Sequence, residues 1–593
     1  MSHAIWSAVL IVLLPLMVYA NDELLQLQKD PGQWVMQRKN YAATGYSELN
    51  QITVDNVKNL KVAWTFSTGA LRGHEGAPLV VGTTMFVHSA FPNHVYALDL
   101  TKQPYVIKWS YSPKQDTKAV PVACCDVVHR GLNYVEGKII MHTLDGQVIG
   151  LDAQTGKELW KVKNADPGKG ETMTGAGLVI KDKYIASISG GEFGVRCHVT
   201  AYNINNGQQV WRAYSMGPDE DILLAPDFNT ANPHYGKAGE GTKTWPGEAW
   251  KQGGGCTWGW YSYDPELNLL YYATGNPGTW NPDQRKGDNK WSMTIFARNP
   301  DTGMAKWGYQ MTPWDAWDYD GVNENVLTDL TIDGKAVKAL VHFDRNGFGY
   351  TLDRTNGTLL VAEPFVYVNW AKSIDKKTGR PIEDPTKRTK QGADTKEICP
   401  CAMGGKDQQP SAYSPRTGLF YVPTNNMCMN YEGVEAKYTA GAPYVGANVL
   451  MFPGRGGHLG ELVAWDATTG KKTWGILEPQ PAWSGVLATA GDVVFYGTLD
   501  GWFKAVHAKT GDVLWKSKVG SGVIAAPMTF LGPDGKQQIA VYSGVGGWYA
   551  LPVAAGLPRD DPYGALGAVG VAYQTGLDKA TTPGGMLYVF TLD

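Results

Sequence analysis

The chain has 593 residues, enough for several domains or for one large closed architecture built from a repeated unit. Its 71 glycines, 34 prolines and 22 tryptophans describe many short strands, tight turns and aromatic packing positions, which is an all-β composition. A formal charge of −3, without an arginine-rich stripe, offers a polyanion nothing to grip and excludes nucleic acid as a partner.

Residues 1–20, MSHAIWSAVLIVLLPLMVYA, hold an uncharged apolar run from Ala8 to Val18, broken by Pro15 and ending in Val18-Tyr19-Ala20. This predicts a signal peptide over 1–20, with 21–593 as a single mature catalytic domain. A membrane anchor would need about 20 apolar residues and flanking cations. No later run is long and apolar enough to span, so the mature chain is expected to lack an integral membrane segment. Seven cysteines (124, 125, 197, 256, 399, 401 and 428) suit an oxidising compartment, and an odd count leaves at least one thiol unpaired within a single chain.

From there a phrase recurs in which an alternating apolar strand enters a Thr-Gly or Asn-Gly turn and a tryptophan follows. Its copies are LDAQTGKELW (151–160), YNINNGQQVW (202–211), RNPDTGMAKW (298–307), WDATTGKKTW (465–474) and VHAKTGDVLW (506–515). ALDLTKQPYVIKW (97–109) and LDRTNGTLL (352–360) are degenerate copies, the second with Leu360 in the tryptophan position. Glycine supplies the positive φ of a hairpin turn, and the returning strand presents a flat ring to its neighbour. Such a unit cannot bury both faces alone, so copies must stack. With Trp64 there are eight docking positions: 64, 109, 160, 211, 307, 360, 474 and 515. Radially stacked sheets close on themselves, which predicts an eight-bladed β-propeller. The last strand, GGMLYVFTLD (584–593), is expected to complete a blade with the strand around Trp64. Long segments at 213–260, 362–412 and 426–462 are expected to cap one face.

Chemistry has to come from sites, because propellers of this kind include non-catalytic scaffolds. Cys124 and Cys125 are adjacent, with α-carbons about 3.8 Å apart across a trans peptide, so a bond between them would be strained and would suit a rigid wall of a pocket. A pair of buried free thiols is the alternative. In WDAWDYDGVNEN (314–325), Asp318 and Asp320 are two apart, and an extended chain would project both carboxylates to one face. Two such charges call for a cation; a solvated acidic turn is the alternative, and the apolar surface of Trp314, Trp317, Tyr319 and Val322 around the pair argues against it. SGGEFGVRC (189–197) and ATGNPGTWN (273–281) each place one oxygen ligand, Glu192 and Asn276, among glycines. Oxygen donors, only 11 histidines and no HExxH point to a hard cation and away from zinc.

Around these residues, WVMQRKNY (34–41), GHEGAPLVV (73–81), ACCDVVHRG (123–131), GGGCTWGWYSYDP (253–265), GDNKWSMTIFAR (287–298), DRNGFGYTLDR (344–354), ATAGDVVFYGTLDG (488–501) and GVGGW (544–548) resemble the PQQ-dependent methanol dehydrogenases, and the resemblance runs from Asp30 to the carboxy terminus. It implies the quinoprotein alcohol dehydrogenase type of propeller. It also implies that Glu192, Asn276, Asp318 and Asp320 ligate a metal, with Asp318 as catalytic base and Arg345 steadying it. Cys124–Cys125 would form a disulfide on one face of the quinone and Trp258 would stack on the other. Glu75, Arg130, Thr174, Ser189, Gly190, Gly191, Arg345 and Asn425 would be polar partners, with Trp483 and Trp548 nearby. Cys399 and Cys428 would form a second disulfide. Cys256 departs from the family, where a threonine touches the quinone, and Cys197 and Cys401 have no assigned partner.

Calcium-using members resemble this chain but carry a small apolar residue at the position of Asp320. The Asp-Tyr-Asp pattern resembles the lanthanide-using branch, and three carboxylates compensate a trivalent ion better than a divalent one. The implied reaction oxidises methanol or another small primary alcohol to an aldehyde, Asp318 taking the hydroxyl proton while hydride moves to the quinone carbon C5 and the metal polarises the C–O bond. No CxxCH and no GxGxxG occur, so a separate soluble cytochrome c is the implied acceptor, in the periplasm, with a homodimer implied by the resemblance. A calcium-dependent alcohol dehydrogenase and a non-catalytic periplasmic scaffold are the alternatives.

Overall fold

The computed structural model describes residues 22–592. The expected signal peptide lies outside them. Eight sheets, each with a core of four antiparallel strands, follow one another along the chain. Blade 1 holds Leu79–Val81, Thr84–His88, Val95–Asp99 and Val106–Tyr111. Blade 2 spans residues 133–163, blade 3 residues 178–214, blade 4 residues 262–310 and blade 5 residues 325–364. Blade 6 spans residues 412–478 with a long excursion, and blade 7 spans residues 486–518. Blade 8 closes the ring as expected from the terminal strand: Met586–Thr591 pairs antiparallel with Lys61–Ser67, Trp64 opposite Val589.

The recurrent phrase makes the seams between blades. Trp109, Trp160, Trp211, Trp307 and Trp474 lie against Gly156, Gly207, Gly303, Gly357 and Gly511 of the following blade. Each glycine has φ between +70° and +79°, and an added Cβ would lie 2.6 to 2.8 Å from a ring atom. Glycine is therefore required twice, by the turn and by the ring. The indole N–H of Trp109 donates to the Ala153 carbonyl at 3.0 Å and that of Trp211 to the Pro300 carbonyl at 2.8 Å. The degenerate copies repack: Gly470 meets the aliphatic parts of Glu363 and Val361, while Trp64 meets the ring of Tyr105, 4.8 Å between centroids.

Antiparallel order sorts the connections. The first-to-second and third-to-fourth strand turns emerge at one rim; the second-to-third strand loops and the links between blades emerge at the other. The first is the turn rim. A stretch from Gly32 to Ser47 touches every blade at or beside its first strand. Leu531 N–H donates to the Gly32 carbonyl, Tyr263 N–H to Tyr41, Leu327 N–H to Ala42, Tyr413 N–H to Thr44 and Ala488 N–H to Gly45, all at 2.8 to 3.0 Å. Trp34 bridges Val80, Gln37 reaches the Leu132 carbonyl, and the Tyr41 hydroxyl donates to Val179.

The three long segments are partly ordered. Asp394–Ile398, Met427–Gly433 and Ala447–Pro453 form a separate three-stranded sheet. Helices Gly547–Ala555, Ala568–Gln574 and Leu577–Ala580 interrupt blade 8, and the first carries Trp548. Among the described residues no helix is long and apolar enough to cross a membrane.

Candidate active site

A cavity opens at the rim of loops and links, lined by Glu75, Cys124, Cys125, Arg130, Trp258 and Arg345 together with residues of the acidic cluster. Glu75, Cys124, Cys125, Arg130, Thr174, Trp258, Asp318 and Asp320 come from the links that join blades. Ser189, Gly190, Glu192, Arg345 and Trp548 come from loops between second and third strands. Unrelated connections thus converge because both kinds emerge at one rim.

Cys124 is bonded to Cys125, with α-carbons 3.8 Å apart. Trp258 lines the same cavity, the Arg130 guanidinium lying 4.6 Å and that of Arg345 5.4 Å from its ring centre. Arg130 ion-pairs with Glu75 at 2.8 Å and donates to the Thr174 hydroxyl at 2.9 Å, which in turn meets Ser189 at 3.0 Å. Burial pushes the Glu75 carboxyl up to about 7, against the pull of Arg130. Gly190 has φ +136°, and a side chain there would strike the Gly170 carbonyl. Gly191, Asn276, Asn425 and Trp483 sit behind the cavity wall. Asn425 donates to the Met403 and Gly404 carbonyls, and the buried indole N–H of Trp483 has no partner.

The acidic cluster differs from the extended geometry expected of Asp318 and Asp320. Asp318 has φ +64°, in the left-handed region, and the segment is a bent loop. The Asp315 carboxylate causes the bend by accepting the N–H groups of Trp317, Asp318 and Tyr319 at 3.2, 3.0 and 3.3 Å. Both later carboxylates still meet: Arg345 lies 3.5 Å from Asp318 and 3.3 Å from Asp320. Asp407 fixes that guanidinium, accepting at 3.1 and 2.6 Å. Asp320 also accepts the Asn276 N–H at 2.6 Å, and only glycine fits at 275, where a Cβ would lie 2.0 Å from its oxygen. A Cβ on Gly191 would lie 3.4 Å from the Asn276 side-chain oxygen, which puts the Glu192 and Asn276 loops in contact.

Burial raises Asp318 well above the carboxylate range, with Asp320 and Glu192 adding to it and Arg345 opposing. Burial, then Asp320, pushes Glu192 up to about 7. Among the described residues no three acidic, histidine or cysteine side chains close on one point; Asp318 and Asp320 turn to Arg345 instead. Even so, Glu75, Glu192, Asp318, Asp320 and Asp407 line the cavity against Arg130 and Arg345 alone, since Asp126 is paired with Arg72. Asp318 Oδ1 and Asn276 Nδ2 are buried without partners. Surplus negative charge beside the free carboxylate oxygen of Asp318 suits a highly charged hard cation. The part of the cavity lined by Trp258, the Cys124–Cys125 disulfide, Arg130 and Arg345 suits a planar anionic quinone.

Cys399 is bonded to Cys428, with α-carbons 4.4 Å apart. Cys197 and Cys256, left without partners by the sequence, are bonded to each other, with α-carbons 4.7 Å apart. The Cys256 sulfur is therefore not free to donate to a quinone. Cys401 is the buried free thiol. Sequence reasoning missed Asp407, Gln408 and Trp280, which line the cavity, and Asp315 behind it. KDQQP (406–410), a polar run with no phrase around it, was the available signal.

Comparison with known proteins agrees with this geometry. A family profile described as glucose/ethanol/alcohol dehydrogenase, β-propeller domain, of the PQQ type, matches residues 34–367 and 476–539. The lanthanide-dependent methanol dehydrogenase of Methylacidiphilum fumariolicum is 69% identical over 578 residues, covering 97% of this chain and 95% of that one. The methanol dehydrogenase [cytochrome c] subunit 1 of Methylorubrum extorquens is 50% identical, covering 97% and 93%. A solved europium-containing methanol dehydrogenase superposes with a TM-score of 0.96 at 69% identity, covering 96% of this chain and 100% of the other. The chain therefore belongs to the PQQ-dependent methanol dehydrogenase family and groups there with its lanthanide-dependent members.

Proposed function

We propose that the protein oxidises methanol and other small primary alcohols to aldehydes, using PQQ between Trp258 and the Cys124–Cys125 disulfide and a lanthanide ion held by Glu192, Asn276, Asp318 and Asp320. The observation that carries this reading is one cavity lined both by Trp258, the vicinal disulfide and two arginines and by a surplus of carboxylates. Glu75, Arg130, Thr174, Ser189, Gly190 and Arg345 would hold the quinone's edges, with Gly191, Asn425, Trp483 and Trp548 supporting that shell. When bound, the quinone supplies a two-electron acceptor and the ion a Lewis acid for the alcohol oxygen.

The chain's own residues do the rest. Asp318 Oδ1 has no protein partner, so it is free to accept the alcohol's hydroxyl proton as general base. Arg345 holds the other oxygen of Asp318 and fixes its orientation, while Asp407 keeps Arg345 in place. Trp280 and Trp548, their rings 6.1 Å apart, line the same cavity and would give the substrate side an apolar wall.

The reading includes secretion to the periplasm through the leader at 1–20, which the three disulfides support. It also includes a soluble cytochrome c as electron acceptor, supported by the cytochrome c in the name of the Methylorubrum relative, and a homodimer, supported by family resemblance. Apoprotein reconstituted with PQQ and lanthanum is expected to bind both, show the quinone absorption band and oxidise methanol with an artificial dye. Failure to bind the quinone overturns the reading; activity with calcium and none with lanthanum moves the chain to the calcium-dependent type.

A further inference from the structure

We infer that Arg285 and Asp315 are a positioning pair that registers the two loops carrying Asn276 and the Asp318/Asp320 carboxylates. The inference rests on the ligand assignment proposed above. Neither side chain lines the cavity, and each is 1% exposed, so both act through other residues.

Asp315 is suited to the task because its two oxygens accept three successive backbone N–H groups, from Trp317, Asp318 and Tyr319. Those bonds hold Asp318 at φ +64°, a conformation uncommon for a non-glycine residue. An asparagine retains one acceptor and an alanine none, which would strand buried N–H groups. The need for such a clamp follows from charge: Asp318 and Asp320 repel each other before an ion arrives, and a loose loop would splay them.

Arg285 joins this loop to its neighbour. Its Nη2 donates to the Asp315 carbonyl at 2.6 Å, its Nε donates to the Thr279 carbonyl, and its Nη1 donates to Asn289 Oδ1 at 3.0 Å. Thr279 lies three residues after Asn276 in the same loop. One planar fork thus spans both ligand-bearing loops. A lysine has the charge but not the fork, and reaches one carbonyl at a time.

The test reconstitutes Asp315→Ala, Asp315→Asn, Arg285→Lys and the reference variant Asp320→Ala with PQQ and europium(III). Europium luminescence reports affinity, and lifetimes in light and heavy water report the number of bound waters. Asp315→Ala and Arg285→Lys are expected to weaken europium binding by about 10- to 100-fold and to admit extra water, as loss of outer-shell support does elsewhere. Asp315→Asn should fall between wild type and Asp315→Ala, with melting temperature and PQQ binding retained. Unchanged affinity and hydration in folded Asp315→Ala and Arg285→Lys, while Asp320→Ala alters both, overturns the inference and leaves the ligand assignment standing. If Asp320→Ala is also without effect, the ligand assignment fails and takes the inference with it. Failure of Asp315→Ala, Asp315→Asn and Arg285→Lys alike to fold overturns it too, since the pair would then be structural.

Discussion

Along the turn rim, the tryptophan of one blade lies on the glycine of the next at five of the eight seams, whereas along the other rim no cavity residue recurs from blade to blade. Asp318, Glu192 and Trp258 each occur once, on connections of unlike length and shape. A seam is solved once and copied, because every blade poses the same packing problem. A reacting site needs different atoms at different points, so its residues break the repeat. Periodic residues in this chain accordingly hold the ring, and the charges that line the cavity are aperiodic.

The largest separation between the rims is expected at Asp318. Asp318→Asn removes the proposed base and should lower methanol turnover by about 10²–10⁴-fold. Its melting temperature should stay near wild type, because the backbone bonds that shape its loop belong to Asp315. Steady-state kinetics beside a thermal melt checks both halves. Near-normal turnover would remove Asp318 from the mechanism.

The reverse pattern is expected of Trp307, which is 2% exposed, packs on Gly357 and donates to the Arg354 carbonyl. Trp307→Ala empties a seam and should cost about 3–5 kcal/mol of stability. Turnover per folded, reconstituted molecule should be unchanged. Urea unfolding with active-site titration would show it, and lost turnover without lost stability would break the division between rims.

Asp320→Ala should act more narrowly. It removes one charge and its oxygen donors from the ion site, so lanthanum affinity should fall about 10- to 100-fold more than calcium affinity. Competition between the two ions for the PQQ-loaded apoprotein measures the ratio. A ratio equal to wild type would mean that Asp320 serves Arg345 and Asn276 alone.

How far the sequence could be read follows the same division. Trp-Gly spacing exposed the blades because hairpin and seam impose side-chain identity, and the terminal strand's lack of a phrase exposed the closure with Trp64. The stretch from Gly32 to Ser47 left no such mark: its bonds to six blades run through main-chain groups that any residue carries, and only Gln37 and Tyr41 reach blades 2 and 3 by side chain. Asp318 and Asp320 stood out as charges among aromatics, yet the bend at Asp318 was hidden because it depends on Asp315 accepting backbone N–H groups. Cys197 and Cys256, 59 residues apart, meet only once blade 3 and its outgoing link have folded. Trp548 was legible as a motif, but its helix is short and interrupted by Pro552, so no helical period surrounds it.

The smallest expected effect concerns four buried histidines at the rim of loops and links, His74, His88, His129 and His142. His129 stacks on His142 with ring centres 4.2 Å apart, and His88 lies 4.9 Å from His129. Burial holds His74 down to about 4 and His142 down to about 3, and it holds His88 and His129 well below the usual range. His142 faces His129, His88 and Arg130, all of which oppose a further positive charge. In the folded chain these rings stay neutral, while in the unfolded chain they protonate below about pH 6.5. The unfolded state therefore binds more protons, and stability must fall as pH drops from about 6.5 toward the depressed folded values. Each ring contributes at most about 1.4 kcal/mol per pH unit in that window. His142→Leu removes one titrating group from the stack, so the slope of unfolding free energy against pH should be shallower by up to that amount between pH 6.5 and 4. Above pH 7.5 the slopes of variant and wild type should coincide. Urea unfolding at a series of pH values measures both, and an unchanged acid slope in the variant would show that His142 is not among the groups that set acid stability.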